Sequence, residues 1–293
     1  MDGLYDWGIS VIEWLQRGSP ALDELFILVT LLGDELFLIL VIPCVYWSVD
    51  RRSGVQIILI VLASVVVNSL AKSLLGQPRP ADYDSAVTTL VDSSGYGVPS
   101  GHSQTAVVLA GYGWWRWPHP LVRGMAIAMI IGVPLSRVYL GVHFPTDVIG
   151  GAVVAGAVLW AAHGVGPRAG AWFARLDFSP RLVLAILPGT LAMLVRPDEG
   201  GYSVGGAMIG LLTGIVIERR WVGFTVSGSL AMRLAQYVVG MVVLAAVFWG
   251  SNALWVGAAD WSEAIRYGVS AAWVALGAPW LFTIGGRGTL TTV

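Results

Sequence analysis

What most constrains this chain is the recurrence of apolar stretches about as long as a bilayer is thick. They fall at roughly 24–47, 54–75, 101–117, 122–138, 147–166, 181–195, 203–217, 233–250 and 267–284, with short polar breaks between them. A transmembrane helix needs about 20 such residues, because backbone amides in lipid must be satisfied within the segment. Charged residues make up only 12% of the 293, hydrophobic residues 56%, and the mean hydropathy is +0.73. A soluble domain of this size could not cover its outside with so few polar groups. The predicted fold class is all-α, a polytopic transmembrane helix bundle of about nine spans. The sixth to eighth segments are short and Pro188 interrupts the sixth, which predicts tilt or a kink.

The same composition excludes other classes. The formal net charge of -1 leaves no basic face for nucleic acid, and Cys44 is the single cysteine, so no internal disulfide or thiolate cluster can form. Residues 1–23 lack the basic start of a cleavable signal. Asp2, Asp6 and Glu13 alternate instead with Leu4, Trp7, Ile9, Ile12 and Trp14, the pattern of an amphipathic segment at the membrane interface. A composition shift near 167–180 (Gly-Pro-Arg, then Leu-Asp-Phe-Ser-Pro) separates a membrane core at 24–166 from a C-terminal transmembrane part at 167–293. Nine spans put eleven of the 17 basic residues, from Arg51 and Arg52 to Arg287, on one side and six on the other. Lys and Arg favour the cytoplasm. The C-terminus is therefore expected inside, and the 76–100 loop outside. The 16 arginines to one lysine suit a bacterial plasma membrane.

That topology gathers a set of polar residues at one membrane face. Lys72 ends the second span, Arg79-Pro80 follows it, Pro99-Ser100-Gly101-His102 opens the third, Ser136-Arg137 closes the fourth, and His143 and Asp147 bracket the start of the fifth. Lys72, Arg79 and Arg137 supply three cations, enough for a phosphate dianion. Ser100 suits a helix N-cap, and Gly101 lets free backbone amides approach an anion. Two imidazoles can divide acid and nucleophile roles, with Asp147, four residues after His143, accepting from one of its ring nitrogens. No nearby Asp/Glu/His cluster has metal-ligand spacing, so a metal-free reaction without cofactor is the simpler expectation.

These residues resemble the three-part signature of the type 2 phosphatidic acid phosphatase superfamily, which also contains the vanadium haloperoxidases. K-x6-R-P is matched by Lys72 to Pro80, P-S-G-H by Pro99 to His102, and S-R-x5-H-x3-D by Ser136, Arg137, His143 and Asp147. The resemblance covers about 70–150 and implies a six-helix-type phosphatase core in the front half. It implies that His143 is the nucleophile of a phosphohistidine intermediate, oriented by Asp147, and that His102 is the general acid. Lys72, Arg79, Ser100, Gly101 and Arg137 would hold the phosphoryl oxygens, with Ser136 and Pro80 structural. The implied activity is metal-independent, vanadate-sensitive hydrolysis of a lipid phosphate monoester or diphosphate: phosphatidic acid, phosphatidylglycerol phosphate, undecaprenyl diphosphate or a sphingoid phosphate. Transfer to a lipid acceptor, and a non-catalytic lipid-phosphate binding or translocating role, stay open alongside it.

Other residues have less defined expectations. Asp34 and Glu35 lie inside the first span after Gly33, where carboxylates are costly unless paired. They are candidates for lining a substrate groove or pairing with a pocket cation, or for capping a break at Gly33. Asn68 is expected to be interhelical glue, and His119 and His163 ordinary loop histidines. The cytoplasmic arginines read as interface anchors. Gly206, Gly210 and Gly214 form a small-residue ladder for close helix packing, within the chain or across a homodimer. The expected partners are otherwise the lipid substrate and membrane lipids.

Overall fold

In the computed structural model, residues 2–254 and 260–287 are described. They divide into two compact units, one of residues 1–41 and 59–167 and a second of 42–58 and 168–293. The predicted core of 24–166 therefore differs in two respects: residues 42–58 belong with the C-terminal part, and the segment 1–23 joins the core. The C-terminal end, expected to be cytoplasmic, and the Arg287 side chain lie outside the described residues.

The chain begins with helix α1 (Asp2–Gln16). A broken first span follows: α2 (Asp23–Thr30), a 3-10 turn (Leu31–Gly33), α3 (Glu35–Cys44) and a π turn (Val45–Val49). Next come the long helix α4 (Arg51–Leu75), the single turn α5 (Pro80–Tyr83), α6 (Gly101–Arg116), α7 (Pro120–Tyr139) and α8 (Pro145–Gly164). The chain goes on through α9 (Gly166–Phe173), α10 (Phe178–Val195), α11 (Glu199–Trp221) and α12 (Leu230–Leu254). α13 (Trp261–Ala272), a second π turn (Trp273–Gly277) and α14 (Ala278–Arg287) complete it.

This is an all-helical integral membrane protein. Among the described residues, seven helical segments are long and apolar enough to cross a bilayer, and the broken pair at Asp23–Gly33 and Glu35–Val49, bent by 52°, makes an eighth if it is one span. The predicted third span is α6, a helix of 16 residues. At 1.5 Å per residue it reaches about 24 Å, short of the roughly 30 Å hydrocarbon thickness. Pro188 lies inside α10 without ending it.

In the first unit, α1 is amphipathic as expected, but its apolar stripe is shared. Ile9 and Ile12 are buried with Val138, Phe144 and Val148, while Leu4, Trp7 and Trp14 stay exposed. Tyr5 and Tyr83 stack beside Phe144, with ring centroids 4.9 Å apart for Tyr5–Tyr83 and for Tyr5–Phe144. α7 and α8 are joined by a tight turn at Gly141, whose φ is +73°. A Cβ there would come within 2.3 Å of the Thr88 carbonyl, so glycine is demanded by both backbone and space.

In the second unit, Tyr46 and Trp47 are fully buried with Phe224, Leu244, Val274, Ala278 and Phe282. Trp47 Nε1 donates to the Val274 carbonyl at 3.0 Å, and the Tyr46 hydroxyl donates to that of Ala275 at 3.1 Å. Arg51 is not an interface anchor as expected. It pairs with Glu218, which is fully buried and also accepts the Phe224 N–H at 2.7 Å. The glycine ladder packs inside the chain: a Cβ on Gly206 would lie 2.1 Å from the Ala264 carbonyl, and one on Gly210 2.1 Å from that of Gly268. Gly214 is likewise buried, against Ala275. α13 and its π turn fill that face, so the ladder serves packing within the chain, the first of its two expected uses.

Candidate active site

The site assembles in the first unit, at the starts of α6 and α8 and the ends of α4 and α7. The turn between α7 and α8 places His143 two residues before Pro145, and Pro at a first helical position is favoured because its missing N–H is an orphan there anyway. Asp147 in the first turn of α8 then serves two donors. Its Oδ2 accepts the Phe144 N–H at 3.0 Å and lies 3.1 Å from His143 Nδ1. His143 is only 2% exposed and Asp147 is fully buried. The other ring nitrogen, Nε2, lies 3.3 Å from Arg79 Nη1. A carboxylate on Nδ1 and an N–H donor on Nε2 define one tautomer, with the proton on Nδ1 and the Nε2 lone pair free. Burial, and then the charges of Arg79, Arg137 and Lys72, hold the His143 imidazole well below the usual histidine range.

The P-S-G-H turn is held from two sides. Asn68 of α4 donates to the Pro99 carbonyl at 3.2 Å and to Gln104 Oε1 at 2.7 Å, while Gln104 Nε2 donates to the Ser64 carbonyl at 2.8 Å. From α8, the Asp147 carbonyl accepts the Ser100 N–H at 3.0 Å. Asn68 is thus interhelical glue as expected, and what it fixes is the turn that carries His102. Ser100 occupies the N-cap position of α6, but its hydroxyl makes no capping bond. It accepts instead from Ser103 at 3.2 Å. Gly101 follows at the first position of α6.

The three cations converge on this turn. Arg79 is 9% exposed and donates through Nε to Gly95 at 2.8 Å, through Nη2 to Ser94 at 2.7 Å and through Nη1 to Val142 at 2.9 Å, in each case to the backbone carbonyl. Lys72 donates to the Tyr96 carbonyl. Arg137, 4% exposed, donates from Nη1 to the Thr30 hydroxyl at 2.9 Å. Its Nε is buried without a hydrogen-bond partner among the described residues. A buried donor left open this way is costly unless an anion takes it up.

His102 Nε2 lies 3.4 Å from Asp34 Oδ2. Of the two first-span carboxylates, only Asp34 joins the cluster; Glu35 is exposed in the first turn of α3. Ser136 donates to the Val133 carbonyl at 2.6 Å, a structural bond inside α7. His119 caps α7 by accepting the Leu121 N–H at 3.2 Å, and His163 packs on Trp115 with centroids 4.8 Å apart. Thr30, Ser64 and Gln104 were not singled out from the sequence. A threonine, serine or glutamine near an apolar run carries no mark of its partner.

Among the described residues, no group of three or more His, Cys, Asp or Glu could hold a metal ion. What the arrangement offers is a pair of imidazoles with separate carboxylate partners, Asp147 for His143 and Asp34 for His102. An unprotonated, oriented imidazole and a second imidazole stand at a cationic pocket with amide and hydroxyl donors.

Several known proteins are similar to this chain over part of its length. Sphingosine-1-phosphate phosphatase 1 of Mus musculus is 34% identical over 147 residues, 47% of this chain and 34% of its own length. Glucose-6-phosphatase 3 of Mus musculus is 29% identical over 189 residues, 55% of this chain and 53% of its own. The chain thus spans about a third to a half of the length of these curated relatives. A crystal structure of a PAP2 type phosphatidylglycerolphosphate phosphatase from Bacillus subtilis aligns with a TM-score of 0.49 at 25% identity, over 57% of this chain and 88% of that one. Residues 53–170 match the PAP2 superfamily, and residues 202–287 match the PAP2 superfamily phosphatase, transmembrane extension. With its domain and its extension both matched, the chain belongs to the PAP2 superfamily.

Proposed function

We propose that the protein is a membrane lipid phosphatase that hydrolyses a lipid phosphate monoester or diphosphate through a phosphohistidine on His143, without a metal ion. One observation carries the reading: His143 is buried, with Nδ1 3.1 Å from Asp147 and Nε2 beside the cations of the pocket. In the first step His143 Nε2 forms a bond to phosphorus while the bond to the leaving oxygen breaks. His102 gives that oxygen its proton. In the second step water attacks the phosphoryl group, His102 takes the proton, the P–N bond breaks and inorganic phosphate leaves. Lys72, Arg79, Arg137, Ser100 and the Gly101 amide stabilise the charge on the equatorial oxygens, and Asp147 stabilises the imidazolium that forms.

The membrane setting supports a substrate whose tail stays in the bilayer, and the sphingosine-1-phosphate phosphatases among the relatives favour a sphingoid phosphate as the first to try. The eleven-to-six division of basic residues that nine spans would give supports a site on the outer face with the C-terminus inside, and the 16 arginines to one lysine favour a bacterial plasma membrane. The test is phosphate release by the purified protein in detergent with EDTA, across a panel of lipid phosphates, with His143→Ala alongside. Release from one lipid class, abolished in the variant, is the expected result. Full-strength release by His143→Ala, or none by well-folded wild type, would overturn the reading and bring forward lipid transfer or binding.

A further inference from the structure

The first span is broken where it passes the site. α2 and its 3-10 turn end at Gly33 and α3 starts at Glu35. A Cβ on Gly33 would lie 2.7 Å from the His102 carbonyl and 2.8 Å from Val133 Cγ1. Glycine therefore lets the break press against the first turn of α6, and this sets Asp34 beside His102. The two carboxylate oxygens of Asp34 are divided. Oδ1 accepts the Leu36 N–H at 3.0 Å and starts α3, whereas Oδ2 lies 3.4 Å from His102 Nε2.

Burial first, and then two neighbouring charges, oppose the protonation of His102, whereas Asp34 favours it. The charges are those of Arg137 from α7 and Arg79 ahead of α5, and His102 and His143 also lie within electrostatic reach of each other. A general acid must carry its proton before the leaving oxygen departs, and two fixed cations work against that. Asp34 is the carboxylate placed to offset them.

We infer that Asp34 is a positioning residue for the reaction, its carboxylate accepting from His102 Nε2, fixing the ring and favouring its imidazolium form, with Nδ1–H toward the leaving oxygen. When the P–O bond breaks, the Nδ1 proton passes to that oxygen, and the neutral ring keeps its Nε2–H on Asp34. In the hydrolytic step Nδ1 takes a proton from water, which restores the imidazolium. The inference rests on the reading of His102 as general acid.

Asn caps a helix as well as Asp does, so Asp34→Asn keeps the bond to Leu36 and removes only the charge. The experiment uses the full chain in detergent with two substrates. Sphingosine 1-phosphate leaves as an alkoxide and needs the proton; p-nitrophenyl phosphate leaves as a stable phenolate and does not. Asp34→Asn should lower kcat on the first by about 10- to 100-fold, part of the 10²–10⁴ that acid catalysis supplies, and on the second by less than about threefold. The alkaline limb on the lipid substrate should move to lower pH, and Asp34→Glu should recover part of the loss. His102→Ala should show the same dependence on leaving group, and the double variant should be no worse than His102→Ala alone. Equal behaviour of Asp34→Asn on both substrates, with His102→Ala still dependent on leaving group, would overturn the inference alone. A His102→Ala variant indifferent to leaving group would remove the acid assignment and the inference together.

Discussion

The Thr30 hydroxyl accepts a 2.9 Å hydrogen bond from Arg137 Nη1. A residue of the broken first span thus aims the guanidinium that the S-R motif supplies on α7, while the buried Nε of Arg137 has no hydrogen-bond partner among the described residues.

Thr30→Val removes that acceptor at nearly constant volume. A hydrogen bond to a charged group contributes about 1.5–3 kcal/mol. Vanadate, a mimic of the pentacoordinate phosphorus, should bind at least about tenfold more weakly, since about 1.4 kcal/mol corresponds to tenfold. The vanadate inhibition constant checks this, and an unchanged constant would show that Arg137 is aimed by other contacts.

The buried environment of His143 predicts a proton distribution that NMR can read. Of the four histidines, His143 should stay neutral, with its proton on Nδ1, to well below pH 6.5, because burial and then Arg79, Arg137 and Lys72 oppose its charging. The linkage has a definite sign. Below about pH 6.5 the unfolded imidazole binds a proton that the folded one refuses, so the His143 contribution to stability falls as pH falls through that value. A ¹⁵N-histidine titration, with His143→Gln to assign the resonance, tests it. Protonation of that ring near pH 6.5 would contradict the burial argument.

In the second unit, Glu218 accepts from Arg51 Nε at 2.9 Å and from the Phe224 N–H at 2.7 Å. Glu218→Ala strands both donors. Arg51 is 24% exposed, which relieves part of the penalty, so the cost should be about 2–3 kcal/mol, below the 3–5 of a fully buried pair. Thermal unfolding in detergent should show a drop of several degrees. Removing Arg51 as well should restore part of it, because the stranded charge goes with it.

The cations of the pocket also hold the segment before the P-S-G-H turn. Lys72 donates to the Tyr96 carbonyl, and Arg79 to those of Ser94 and Gly95. A phosphoryl group that recruits the same donors must compete with those carbonyls. Saturating vanadate should therefore speed amide exchange across 93–97 while slowing it around His102 and His143. Slower exchange in both places would show that anion and carbonyls are held together.

Much of the site was legible because its chemistry is written in fixed spacings. Lys72, Arg79, Ser100, Gly101, His102, Arg137, His143 and Asp147 follow one another in three short motifs, and helix ends bring them to one place. Asp34 stood out for a different reason, since a carboxylate in an apolar span needs a partner. Its partner could not be read, because proximity to His102 depends on how Gly33 lets two backbones meet. Thr30 and Gln104 left no signal at all. The transfer of 42–58 to the second unit was hidden for the same reason: Trp47 finds its acceptor, the Val274 carbonyl, 227 positions away, and an apolar run does not say which neighbour it prefers.

The broken first span carries Thr30 and Asp34 one helical turn apart, and each serves a different charged group of the site. Adding or deleting one residue between Asp23 and Gly33 would turn one or both away by about 100°. The segment therefore has little freedom to change in length, although its exposed leucines can be exchanged for other apolar residues. Insertions in the first span should therefore cost activity, whereas apolar exchanges at its exposed positions should not.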